Sequence, residues 1–209
     1  MYNIFTNSKA KLFAAVVSFG LIFSGTALAG KPDKVRPGKP GNDNIVEIAL
    51  AVNGMMGEFD YLLAAVGCLT DDGGNNPVVN LLTGSDKYTL FAPVDSAFEA
   101  LQMALGIETP EPELTCAVDD LFGEGTLFTI LAYHVTDGRR FSNSVFNANS
   151  NKDIEMLAGG YITTTPDLHI MDNVPQVIGL VSPLFNINAS NGVIHVIDTV
   201  MLPVNPADL

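Results

Sequence analysis

Three histidines are the side chains of this 209-residue chain best equipped for chemistry: His134 in "TILAYHV", His195 in "GVIHVID", and His169. An imidazole titrates near neutrality, so it can act as a general base or, when neutral, as a metal ligand. No two of the three are close enough in sequence to form a local ligand pair, so only the fold could bring them together. Asp95 and Ser96 are adjacent and could join His134 in a nucleophilic triad, because triads are defined by geometry and not by order in the chain. The sequence has no G-x-S-x-G elbow, no H-E-x-x-H helix and no phosphate-binding P-loop. "DDGGNN" (71–76) is rich in oxygen ligands but lacks the alternating spacing and closing Glu of a calcium loop, so it reads as a solvated turn. No metal or cofactor is expected.

The elements around the histidines explain them without chemistry. In "GVIHVID", Val193, His195 and Ile197 share one strand face and Ile194 and Val196 the other, so the strand is apolar on both sides. A histidine there is expected to be buried, neutral and hydrogen-bonded, with Asp198 pairing with a neighbour or capping the strand end. His134 shares a helical stripe with Leu127, Ile130 and Leu131 in "TLFTILAYHV". It is expected to bond a buried polar group.

Along the rest of the chain, "NIVEIALAV" reads as a helix capped by Asn44, and "EFDYLLAAVG" as a second that stops at Gly67. "KYTLFAP" (87–93) is a strand, and "VDSAFEALQMALG" is a helix whose start Asp95 can cap, with Ala97, Phe98, Leu101 and Leu105 on its buried face. An acidic loop, "ETPEPE", follows. From Arg139 onward "RFSNSVF", "DIEMLA", "YITTT", "LHIM", "QVIGLV" and "GVIHVIDTVML" read as short strands, with Gly159-Gly160 as a two-residue hairpin turn and Asn191-Gly192 as the turn into the last strand. Helices first and strands later, without regular alternation, give an α+β fold.

The first 29 residues read as a secretory signal. Lys9 and Lys11 precede the apolar run "LFAAVVSFGLIF", and Ala27-Leu28-Ala29 supplies the small-x-small site for cleavage after Ala29. The run is shorter than the roughly 20 residues needed to span a bilayer. The mature chain keeps eight of the ten Lys+Arg and all 23 Asp+Glu, a formal charge of −15. Such a surface repels phosphate backbones, which argues against nucleic acid as a partner. Cys68 and Cys116, alone in an oxidising compartment, are expected to pair as a disulfide. "GKPDKVRPGKPGNDN", rich in Pro, Gly and Lys, reads as a flexible linker over 30–43. The domain then runs over 44–203, with a short tail at 204–209.

Three ordered stretches carry a family resemblance. "YTLFAPVDSAFEAL" (88–101), "ILAYHV" (130–135) and "NGVIHVIDTVMLP" (191–203) resemble the first box, the central Tyr-His motif and the second box of the fasciclin (FAS1) domain. The resemblance implies a compact α+β wedge, a β-sandwich with helices packed at one side, in a secreted or surface-exposed protein that works by adhesion, matrix or cell-wall contact. It implies no shared catalytic mechanism. The Tyr-His pair, here Tyr133 and His134, is viewed in the family both as a packing element and as part of adhesive surfaces. The Asp-Ile pair through which some animal members bind integrin falls on Asn186 and Ile187 here, so its carboxylate is missing. "NKDI" (151–154) lies far upstream of that position. Asn188-Ala189-Ser190 is a glycosylation sequon beside the second box.

These features lead to an exported, single-domain adhesion or surface-binding protein, secreted to the periplasm or beyond, whose partner is a surface or matrix protein or a glycan. A small-ligand-binding protein is the rival, and a hydrolase a third class. A cavity above about 300 Å³ with a few convergent polar groups would favour the rival. A filled core with an exposed apolar patch would favour adhesion.

Overall fold

The structure, a computed structural model, describes residues 42–71, 73–174 and 176–204. The proposed signal segment, most of the linker and residues 205–209 lie outside the described residues. No helix among the described residues is long and apolar enough to cross a membrane.

Two strands separated by about a hundred residues form the centre. β1 (Tyr88–Pro93) and β8 (Gly192–Ile197) pair in parallel, Tyr88 opposite Gly192 through to Pro93 opposite Ile197. Every residue of both strands is buried. β2 (Val135–Asp137) and β7 (Ile187–Ala189) flank them antiparallel, giving a sheet ordered β2-β1-β8-β7. A second, antiparallel sheet follows chain order: β3 (Lys152–Glu155), β4 (Tyr161–Thr164), β5 (His169–Met171) and β6 (Ile178–Gly179).

The central strands divide the interior into two cores. Leu90, Ala92, Ile194 and Val196 face a helical layer containing Ile45, Phe59, Leu62, Phe98 and Leu131. Phe91 and Ile197 face the second sheet and meet Ile154, Ile162, Ile170, Ile178 and Tyr133. Alternation along a strand sends neighbours to opposite faces, and burial on both sides is why these two segments read as unbroken apolar runs. Backbone bonds also join the chain of the second sheet to the first: the Leu157 amide donates to the Val135 carbonyl of the edge strand β2 (2.8 Å), and the Val181 amide to the Val196 carbonyl of the central strand β8 (2.9 Å).

The helices are α1 (Ile45–Met56), α2 (Asp60–Cys68), α3 (Pro77–Thr83), α4 (Asp95–Ala104), α5 (Val118–Phe122), α6 (Thr126–Ala132) and α7 (Ser142–Val145). Asn44 caps α1 in a capping box with Glu47. α3 follows the "DDGGNN" turn, where Asn76 accepts from the amides of Val78 and Val79 and Pro77 opens the helix. The acidic loop holds a 3₁₀ turn at Pro112–Ala117, and Cys116 within it is bonded to Cys68 at the end of α2.

Several local expectations give way to tertiary contacts. "RFSNSVF" forms the short helix α7, not a strand, because Asn186 accepts from the first helical amide, Ser142 N–H (2.7 Å), while Val145 and Phe146 enter the inter-sheet core. Gly159 and Gly160 do not form a two-residue hairpin turn. β3 and β4 register Glu155 opposite Tyr161, leaving a loop over 156–160 in which both glycines take positive φ. α6 ends at Ala132, so His134 lies beyond the helix, although its ring still reaches the Ile130 carbonyl.

Asp95 is corrected in the same way. Val94 is the N-cap of α4 and no side chain caps it, while the Asp95 carboxylate accepts from the Tyr61 amide (3.0 Å) at the start of α2. The carboxylate therefore caps a neighbouring helix. Burial pushes its pKa above the usual value, against the pull of the Tyr61 and Asp60 amides.

Candidate functional site

Both Tyr133 and His134 are interior residues, at 0% and 1% exposure. Tyr133 follows α6 directly and points into the inter-sheet core, where its hydroxyl donates to the Tyr161 carbonyl (2.8 Å). Burial, reinforced by the nearby Asp172 carboxylate, pushes the phenol up to about 12. His134 bonds on both ring nitrogens. Nδ1 lies 2.7 Å from the Ile130 carbonyl, and Nε2 accepts from the Met201 amide at 2.9 Å. A carbonyl can only accept and an amide can only donate, so the proton sits on Nδ1. Desolvation holds the ring neutral, with its pKa lowered to about 4.

His195 shows the opposite tautomer. Its Nε2 donates to the Arg140 carbonyl (2.8 Å) and its Nδ1 faces the Asn186 amide at 3.4 Å. The ring stacks on Phe91 with centroids 5.6 Å apart. It is fully buried, and burial lowers its pKa. His169 is apart from both, at the surface, with Nδ1 3.3 Å from the Asp167 carboxylate.

These partners leave little room for chemistry at the candidate residues. The Nε2 lone pair of His134, which a general base would use, is occupied by a backbone amide, and the Asp95 carboxylate is committed to α2. Ser96, Asp95 and His134 therefore do not assemble as a triad. No cluster of three or more metal-ligating side chains occurs among the described residues. Asp198 pairs with its neighbour strand: its Oδ1 accepts from the Gly179 amide (2.8 Å) and from the Thr199 hydroxyl (3.0 Å).

Asn191 is the residue whose importance the sequence hid. It is 3% exposed, accepts from the Ile45 amide (2.9 Å) and donates to the carbonyls of Leu82 (2.6 Å) and Gly84 (3.1 Å). One amide thus ties α1 and α3 to the start of β8. Asn186 has a similar task, accepting from the Ser142 amide and donating to the Ser142 hydroxyl (2.8 Å) at positive φ. The side chain of Asn188, in the sequon, accepts from Arg139.

With the motif residues interior, the exposed features define where contact can occur. On α6, Leu127, Ile130 and Leu131 are buried but Phe128 is 42% exposed. Shallow grooves of about 430 and 540 Å³ flank it, one reaching Leu157 and the other Val204, both also exposed. Glu124 is the one charged residue lining either groove. The space beneath α1 to α3 amounts to only about 50 Å³, apolar apart from His134.

Two interleaved boxes, paired in parallel and joined by a Tyr-His step, correspond to a known domain type: the fasciclin domain model matches residues 70–203, more than half of the chain. The chain belongs to the fasciclin family. α1 and α2 precede the matched segment. Protein sll1483 of Synechocystis is 32% identical over 127 residues, covering 60% of this chain and 61% of that protein. Immunogenic protein MPB70 of Mycobacterium bovis is 29% identical over 136 residues, covering 63% and 58%, as is MPT70 of Mycobacterium tuberculosis. The chain thus spans about three-fifths of the length of these curated relatives. Among solved structures, a FAS1 domain pair from the insect cell adhesion molecule fasciclin I aligns with a TM-score of 0.42 and 18% identity, over 59% of this chain and 42% of that one.

Proposed function

We propose that this fasciclin domain is an exported adhesion or surface-binding module that works by contact and not by chemistry. The observation that carries the reading is the largely apolar face around Phe128, with Glu124 as its one charged lining residue, set on a domain otherwise crowded with carboxylates. Exposed apolar surface on a soluble domain marks interaction sites, and a protruding aromatic between two grooves has the form of an interface anchor. Tyr133 and His134 serve this face from behind, fixing the end of α6 to the second sheet and to Met201. Export rests on the signal segment that ends at Ala29, with cleavage after it.

The test is adhesion of beads carrying the mature chain to intact cells and to isolated envelope. Phe128→Glu should abolish retention while leaving the melting temperature within about 2 °C, as expected for an exposed position. Equal retention of wild type and variant would remove the face from the mechanism.

A further inference from the structure

A second groove, of about 630 Å³, lies between α4 and the chain leaving β8, and shares only Leu202 with the grooves beside Phe128. Leu101, Leu105, Phe122 and Val200 form its apolar walls, and Asp198 and Gln176 stand at its polar end. We propose that this groove binds a small amphipathic amine, its hydrocarbon part along α4 and its ammonium group on the Asp198 carboxylate.

The polar end offers only acceptors. Asp198 is held rigidly, since its amide donates to the Gly179 carbonyl (3.1 Å) and its Oδ1 takes the Gly179 amide and the Thr199 hydroxyl. A Cβ on residue 179 would fall 2.6 Å from Oδ2, so a glycine is what lets the carboxylate lie there. Oδ2 receives no hydrogen bond among the described residues. Gln176 spends its Nε2 on Asp172 (2.6 Å) and on the Val200 carbonyl (3.0 Å), which leaves its Oε1 as a second acceptor.

Charge selects the same occupant. The described cations are Lys87, Arg139, Arg140 and Lys152, and their head groups are engaged with Ser190, Asn188, Asp137 and Ser144, away from this groove. No basic side chain of the described residues forms a salt bridge to Asp198. An ammonium supplies three donors and the missing charge, whereas a carboxylate or phosphate ligand meets only acceptors. The volume lies within the range of small-molecule sites, and apolar walls with few convergent polar groups match their usual make-up.

The experiment is an amide-resolved NMR titration of the mature chain with octylamine, octanol and octanoate, each kept below its micellar concentration. Octylamine should give saturable shifts confined to α4 and residues 122, 174, 176 and 198–202, octanol weaker ones and octanoate none. Asp198→Asn keeps an oxygen for the Gly179 amide and should weaken octylamine about fivefold, the upper range for one solvent-exposed ion pair, while leaving octanol unchanged. Ala100→Phe, at an exposed position lining the groove, should block both. Equal affinity for octylamine and octanol, octylamine binding unaltered in Asp198→Asn, or shifts scattered over the acidic surface would each overturn the proposal.

Discussion

The backbone amide of Met201 donates to Nε2 of His134 at 2.9 Å, a bond between residues 67 positions apart in the chain. It joins the end of the Tyr-His step to the end of the second box. Because Nδ1 of the same ring donates to Ile130, one neutral imidazole bridges α6 and the chain after β8.

Replacing His134 with Ala leaves the Met201 amide and the Ile130 carbonyl without their partner and enlarges the cavity beneath α1 to α3. The expected loss is about 2–4 kcal/mol, measured by urea denaturation. An unchanged midpoint would remove the bridge from the stability of the fold.

The same ring makes stability depend on pH. Its folded pKa of about 4 lies below the unfolded 6.5. The unfolded chain therefore binds the extra proton first as pH falls, and stability that is complete above 6.5 is lost on the way down to about 4. That loss amounts to about 3 kcal/mol. His195 shifts in the same direction and adds to it. Asp95 and Asp172, whose pKa values burial raises, work in the opposite sense and recover some stability near the carboxylate range. Denaturation at pH 7, 6 and 5 should show a declining free energy for the wild type and a flatter profile for His134→Leu.

Asp95→Ala should destabilise the domain by about 1 kcal/mol through the cap of α2. Hydrogen exchange will distinguish this from a cap on its own helix: protection should fall at the amides of Asp60 to Leu63 and persist in α4.

Gly192→Ala should prevent folding. A Cβ there would fall 2.2 Å from the Tyr88 carbonyl oxygen and 2.5 Å from Ile45 Cδ1, both fixed in the core. Gly67→Ala, with open space around it, should express and melt like the wild type. Solubility of the two variants after identical expression decides the matter.

Reduction of the Cys68–Cys116 bond opens a loop closed across 48 positions. The chain-entropy relation puts the loss at about 4 kcal/mol, to be read as a lower urea midpoint in dithiothreitol. The Cys68→Ser/Cys116→Ser variant should match the reduced protein.

The sequence by itself determined the class and the frame. The apolar runs of β1 and β8 announce strands buried on both faces, the spacing in α1, α2, α4 and α6 announces helices, and the two boxes with the Tyr-His motif between them announce the family. Each of these is a local pattern, written in residues that are neighbours along the chain. The tertiary structure alone decided what the polar residues do. Asp95 looks like the cap of its own helix but serves α2, Asn191 looks like a turn residue but ties two helices to a strand, and "RFSNSVF" looks like a strand but is helical because Asn186 caps it. A side chain's hydrogen-bond partner depends on which distant backbone group the fold leaves unsatisfied beside it. That pairing has no period in the sequence and exists only once the two sheets and the helical layer have closed.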